Sequence, residues 1–97
     1  MNDEGIPIML DKERHLRVTE EGMGKFYDIT GESLLECFNF SEMNEHEIIA
    51  SVWACLVWED EKLTLEDVGF LLDVNRLAEF TTKLQAAMII FSPGKKT

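Results

Sequence analysis

The ten residues WEDEKLTLED, positions 58–67, carry five carboxylates. That density suggests two chemistries, a calcium loop or a paired acid/base site. A calcium loop needs oxygen donors at alternating positions and a glycine at its sharp turn. With Leu63 and Thr64 set at the eighth and ninth loop positions, Leu56 falls first, Trp58 third and Glu61 sixth. Donors and glycine are then missing where the ion would need them. Paired acids such as Glu20-Glu21 have the pattern of a solvated helix face. Cys37, His46 and Cys55 recur every nine residues, whereas structural zinc sites use close CxxC or HxxxH pairs. Neither His15 nor His46 has a Cys, Asp or His at ligand spacing, and neither cysteine has a visible base with an orienting group behind it. The chain holds no phosphate-cradling glycine loop and no G-x-S-x-G elbow. The residues therefore predict no catalytic, cofactor-binding or metal site, no cofactor, and a protein that is not an enzyme.

The acidic groups make better sense as helix punctuation. Glu59 to Lys62 closes a central helix predicted over about 45–59, and Thr64 caps the next, with Glu66 and Asp67 in a first turn that favours negative charge. Asn44-Glu45-His46-Glu47 is a start signal of the same kind. The central helix carries Ile48, Ile49, Val52, Trp53, Cys55, Leu56, Val57 and Trp58. Its second half is apolar nearly all round, which predicts neighbours on several sides.

Ahead of it, Ile6, Ile8 and Leu10 alternate, and so do Leu16 and Val18, across the charged run Asp11 to Arg14. Period-2 patterning on both sides of a charged loop predicts a β-hairpin, with Pro7 placing the first strand at an edge. From Thr19 a helix is predicted with Met23, Phe26, Tyr27 and Thr30 on one face. Gly22 and Gly24 weaken it by about 1 kcal/mol each relative to alanine, and Gly31 stops it. Ser33-Leu34-Leu35-Glu36 opens a short helix through about Phe38. After Thr64 a short helix points Leu65, Val68 and Leu72 inward. Asp73 or Asn75 caps a last helix with the stripe Leu77, Phe80, Leu84, Ala87, Met88 and Phe91, ended by Ser92-Pro93-Gly94. The expected fold class is α+β, mainly α: an N-terminal β-hairpin packed on a small bundle of four to five helices. One domain is expected over 6–91, between flexible tails at 1–5 and 92–97.

Nine basic residues against 19 acidic ones leave a net charge of −10. Clustered Lys/Arg for phosphate contacts are missing apart from Lys95-Lys96, so neither a nucleic acid nor an anionic membrane is an expected partner. The acidic start Met-Asn-Asp-Glu-Gly offers no secretory leader, and the apolar run from Ala86 to Phe91 is too short to span a bilayer. Two thiols in apolar helical contexts predict buried free cysteines in a reducing cytosol. On the last helix, Ile89 falls opposite Leu77 and Ile90 lies well off the stripe, while Phe70 lies away from the Leu65/Val68/Leu72 face. With Met88 and Phe91 at the end of the stripe, these make Phe70, Met88, Ile89, Ile90 and Phe91 the candidate partner-binding residues.

Two longer stretches, LRVTEEGMGKFYDITGESLL (16–35) and VWACLVWEDEKLTLEDVGFLLD (52–73), resemble the tail assembly chaperone family of long-tailed bacteriophages, prophages and gene transfer agents. Thr30-Gly31-x-Ser33-Leu34-Leu35 is the most recognisable piece, and the resemblance spans roughly 6–90. The family often has a Leu-x-x-Leu-Glu style helix before its Thr-Gly; here Gly22-Met23-Gly24 and Phe26-Tyr27 replace it. The resemblance implies a non-enzymatic accessory of tail morphogenesis. Its partners would be the tape measure protein and tail tube subunits, its location the bacterial host cytoplasm, and the mature virion would lack it. It carries over no catalytic or ligand residue and leaves a homo-oligomer open. Two alternatives stand beside it: a small acidic regulatory or inhibitory module resembling a DNA mimic, and a minor structural tail protein.

Overall fold

The computed structural model describes residues 5–34 and 44–91, apart from the side chains of Val74 and Phe91. In chain order these form β1 (Ile6–Met9), β2 (Glu13–Leu16), α1 (Glu20–Thr30), α2 (Glu45–Leu56), α3 (Leu65–Leu71), a 3-10 turn (Val74–Arg76) and α4 (Leu77–Phe91). This is the expected mainly-α arrangement: a two-stranded antiparallel hairpin laid on helices. The helix expected to continue from Ser33 runs into 35–43, outside the described residues. Cys37 and, apart from Gly5, both expected tails also lie outside them.

Helix starts follow the capping chemistry. The Thr19 hydroxyl accepts the Gly22 N–H, while Asn44 with Glu47 and Thr64 with Asp67 form reciprocal capping boxes. Each side chain satisfies N–H groups that the first helical turn leaves without carbonyl partners. Gly31 stops α1 at φ 77°, with its N–H donating to the Tyr27 carbonyl at 2.8 Å. That left-handed backbone carries no penalty for glycine. Asp73 opens the 3-10 turn, its carboxylate accepting the Asn75 N–H at 2.9 Å.

α2 is the hub, with Ile48 and every residue from Ala50 to Leu56 buried. It packs against α1, α3, α4 and β2, and Trp53 Nε1 donates to the buried Leu63 carbonyl at 2.9 Å. The helix ends at Leu56, three residues before the expected Glu59, because the chain turns over 57–59 towards the hairpin. The two glycines of α1 differ. A Cβ on Gly22 would collide with the Ala54 carbonyl, so α1 and α2 reach this separation only with glycine there. Gly24 has open space around it and bears its helix cost without such a return. On the expected α1 face Phe26 is buried, but Tyr27 is exposed: it sits one helical step past the seam with α2.

The hairpin departs from expectation by a step. Its turn is Leu10 to Lys12, and Glu13 and Arg14 belong to β2, with Ile8 opposite Arg14 and Ile6 opposite Leu16. Arg14 is in phase with Leu16 and Val18, so it points inward and is only 6% exposed. A charged residue in the inward phase has the composition of a loop; tertiary partners make it a strand residue.

Candidate functional site

Arg14 is held from two sides. Its Nε and Nη2 donate to the two Asp11 oxygens at 2.8 and 3.0 Å, and Nη1 reaches Asp60 Oδ2 at 3.3 Å. The fork geometry of guanidinium suits a bidentate carboxylate. Hydrogen bonding to Arg14 holds the Asp11 carboxyl down at about 2. The Asp60 carboxyl is lowered as well, chiefly by the Lys62 N–H and then by Arg14. Glu59 binds the same hairpin: it accepts the backbone N–H of His15 at 3.0 Å, and its other oxygen lies 2.8 Å from His15 Nδ1. Trp58 Nε1 donates to the His15 carbonyl at 3.0 Å, and the Arg17 guanidinium lies 5.3 Å from the centroid of the Trp58 ring. The acidic stretch is therefore helix punctuation, as read from the sequence, and also the clamp on the hairpin. Sequence spacing concealed that clamp because its partners are more than forty residues apart.

These contacts take up the outer edge of β2. In an antiparallel pair, residues alternate between facing the partner strand and facing outward. His15 on β2 and Arg17 just beyond it face outward, and α2 and its following turn take them up: the Arg17 N–H donates to the Cys55 carbonyl at 2.9 Å, beside the His15 contacts with Glu59 and Trp58. On β1, Pro7 has no N–H and the Met9 carbonyl accepts from Arg76 Nη1 at 3.1 Å. The outer edge of β2 is thus taken up within the chain, while β1 presents a proline and a carbonyl bonded to Arg76.

Most of the open apolar surface lies on the helices. Phe70 is 81% exposed, Ile89 73% and Ile90 55%, so the structure places these three sequence candidates outward. Met88 is half-buried, and the side chain of Phe91 lies outside the described residues. Sequence reasoning missed Met9, Tyr27 and Ile29, which are also exposed; Tyr27 is expected on the packed face of α1, whereas Met9 is out of phase with Ile6 and Ile8 and its outward position could have been read from the alternation. Ile89 and Ile90 sit near the end of α4, whereas Phe70 borders a cleft of about 360 Å³ between the hairpin turn and α3. Phe70 and Leu71 form its apolar wall, with Asp11, Asp60, Lys62 and Asp67 around it and Arg14 behind. A second cleft of about 350 Å³ lies on the far side of Arg14 and is lined only by charged residues, among them Lys12, Glu13 and Glu59.

Reactive groups are scarce where they can be described. The Cys55 thiol is fully enclosed, and burial pushes it up to about 12, so it stays protonated and unreactive near neutral pH. His46 is exposed in the first turn of α2. Among the described residues no group of three or more His, Cys, Asp or Glu side chains is placed to hold a metal ion, and no helix is long and apolar enough to cross a membrane. Comparison of the chain with protein-family models, with curated proteins and with solved structures gave no match.

Proposed function

We propose that the protein is a non-enzymatic tail assembly chaperone of a long-tailed phage or prophage. In this reading it binds the tape measure protein in the bacterial host cytoplasm, keeps its apolar segments in solution, assists the recruitment of tail tube subunits, and is left out of the mature virion. The observation that carries the reading is the pairing of bare Phe70, Ile89 and Ile90 with a net charge of −10. Exposed apolar side chains supply contact area for a client, and the charge keeps the loaded complex dispersed. The TGESLL and LTLEDV motifs add the resemblance to the family. An acidic DNA mimic would array free carboxylates on one face. Here Glu47 and Asp67 cap their own helices, and Asp11, Glu59 and Asp60 hold the hairpin, which favours the client-binding reading.

Coexpression with the long tape measure protein from the same gene cluster tests the proposal. The soluble fraction of the tape measure protein is expected to rise, and to fall back when Ile89 and Ile90 are both replaced by serine. A tape measure protein that stays equally insoluble with and without this chain rejects the chaperone role. Detection of the chain in purified tails moves the assignment to a structural tail protein.

A further inference from the structure

We infer that the cleft between the hairpin turn and α3 is the docking site for an arginine-bearing amphipathic segment of a partner protein. The inference deepens the client-binding reading, and rests on it, by naming the site and the chemistry of what enters. Its first support is the cleft's composition. Phe70 and Leu71 give an apolar wall, and three carboxylates, from Asp11, Asp60 and Asp67, stand in the same lining as the two cations Arg14 and Lys62. Arg14 offers little to an incoming anion, since Asp11 and Asp60 already occupy its donors. Asp67 uses one oxygen to cap the Thr64 N–H at 3.1 Å; a carboxylate has acceptor sites beyond that one. An entering guanidinium therefore meets an aromatic face and the remaining acceptor of Asp67, with Lys62 on the same rim.

A second, independent support is how this chain treats two of its other aromatic rings, Trp58 and Phe80. The Arg17 guanidinium lies 5.3 Å from the Trp58 centroid, and that of Arg76 lies 4.9 Å from the Phe80 centroid. Phe70 is as aromatic as either but 81% exposed. The chain has three arginines, and all are committed: Arg14 to Asp11 and Asp60, Arg17 to Trp58, Arg76 to Glu79, Phe80 and the Met9 carbonyl. A guanidinium over Phe70 has to come from another molecule. A second copy of this chain is a poor donor, because its arginines are equally committed and two chains of net charge −10 repel. A basic amphipathic segment fits instead, its apolar side on Phe70 and Leu71 and its guanidinium between the ring and Asp67.

The test uses the full-length ¹⁵N-labelled protein and two synthetic helical peptides with the same leucine face, one with arginines on its polar face and one with glutamates. The arginine peptide is expected to shift the amide signals of Asp11, Asp67 and Phe70 and to bind more weakly as salt is raised. Its affinity should fall about tenfold in Phe70→Ser and by a similar factor in Asp67→Asn, the size of one desolvated cation–π or ionic contact. Phe70 is solvent-facing, so Phe70→Ser should keep the parent melting temperature; asparagine retains an acceptor for the Thr64 N–H but loses the favourable first-turn charge, so Asp67→Asn should lower it only slightly. Unchanged affinity in both variants, equal binding of the glutamate peptide, or shifts confined to Ile89 and Ile90 overturns the assignment. If the arginine peptide docks here while coexpression leaves the tape measure protein insoluble, the chaperone reading falls and the cleft stands; the reverse pair of results removes only the cleft.

Discussion

The hairpin and α3 form opposite walls of one cleft and treat burial in opposite ways. On the hairpin wall a charged side chain is buried: Arg14 is 6% exposed. On the helix wall an aromatic side chain is bare. The first is tolerated because the guanidinium finds carboxylates at its rim, and the 41% and 35% exposure of the Asp11 and Asp60 side chains keeps those charges in contact with water. The second has no such internal partner among the described residues. Where a wall breaks the burial rule and every group is matched, it is structural; where it breaks the rule and nothing matches, the surface is available to something else.

The comparison can be broken first at the support behind the hairpin wall. Trp58→Ala removes a half-buried ring, its bond to the His15 carbonyl and the seat of Arg17. A loss of about 3 kcal/mol in denaturant unfolding is expected, with faster hydrogen exchange in β2. Replacing Arg14 with methionine keeps volume but strands the carboxylates. Because both are close to water and can rehydrate, the expected cost is smaller, about 1–2 kcal/mol.

Acid titration sharpens the same point. The folded Asp11 carboxyl is lowered to about 2 from an ordinary 3.8. Its contribution is therefore complete above about pH 4 and is lost as pH falls towards 2. The parent should lose stability through that window, and Arg14→Met should lose less there. A parent stability that stays flat between pH 4 and 2 would show that the Asp11–Arg14 contact does not form in solution. On open surfaces the sign changes. Gly24→Ala should raise the unfolding free energy by about 0.5–1 kcal/mol, since alanine favours helix and meets nothing there. Phe70→Ser should change it by less than about 0.5 kcal/mol; a larger loss would mean that the ring is part of the core after all.

Local chemistry made much of this molecule readable. Thr19, Asn44, Thr64 and Gly31 act at helix ends as their side chains, or the lack of one, require. Those effects operate within one helical turn. Ile89, Ile90 and Phe70 were legible as outward residues because a helix repeats every 3.6 positions. The strand assignment of Glu13 and Arg14 was not legible, because the residues that neutralise and hold Arg14 include Asp60, 46 positions away. The same is true of the need for glycine at Gly22 but not at Gly24, which depends on where the Ala54 carbonyl lies across the α1–α2 seam.

By itself the sequence determined a helical domain opened by a hairpin, its helix starts, its strongly acidic character and the outward positions of Phe70, Ile89 and Ile90. Only the tertiary structure decided that Glu59 and Asp60 clamp the hairpin, that the outer edge of β2 is taken up by α2 and its following turn, and that Phe70 stands beside carboxylates in a cleft. The physical reason is range. Capping and periodicity act between near neighbours along the chain, whereas ion pairs, edge closure and clefts arise between segments that meet only after α2 has gathered the other elements around it.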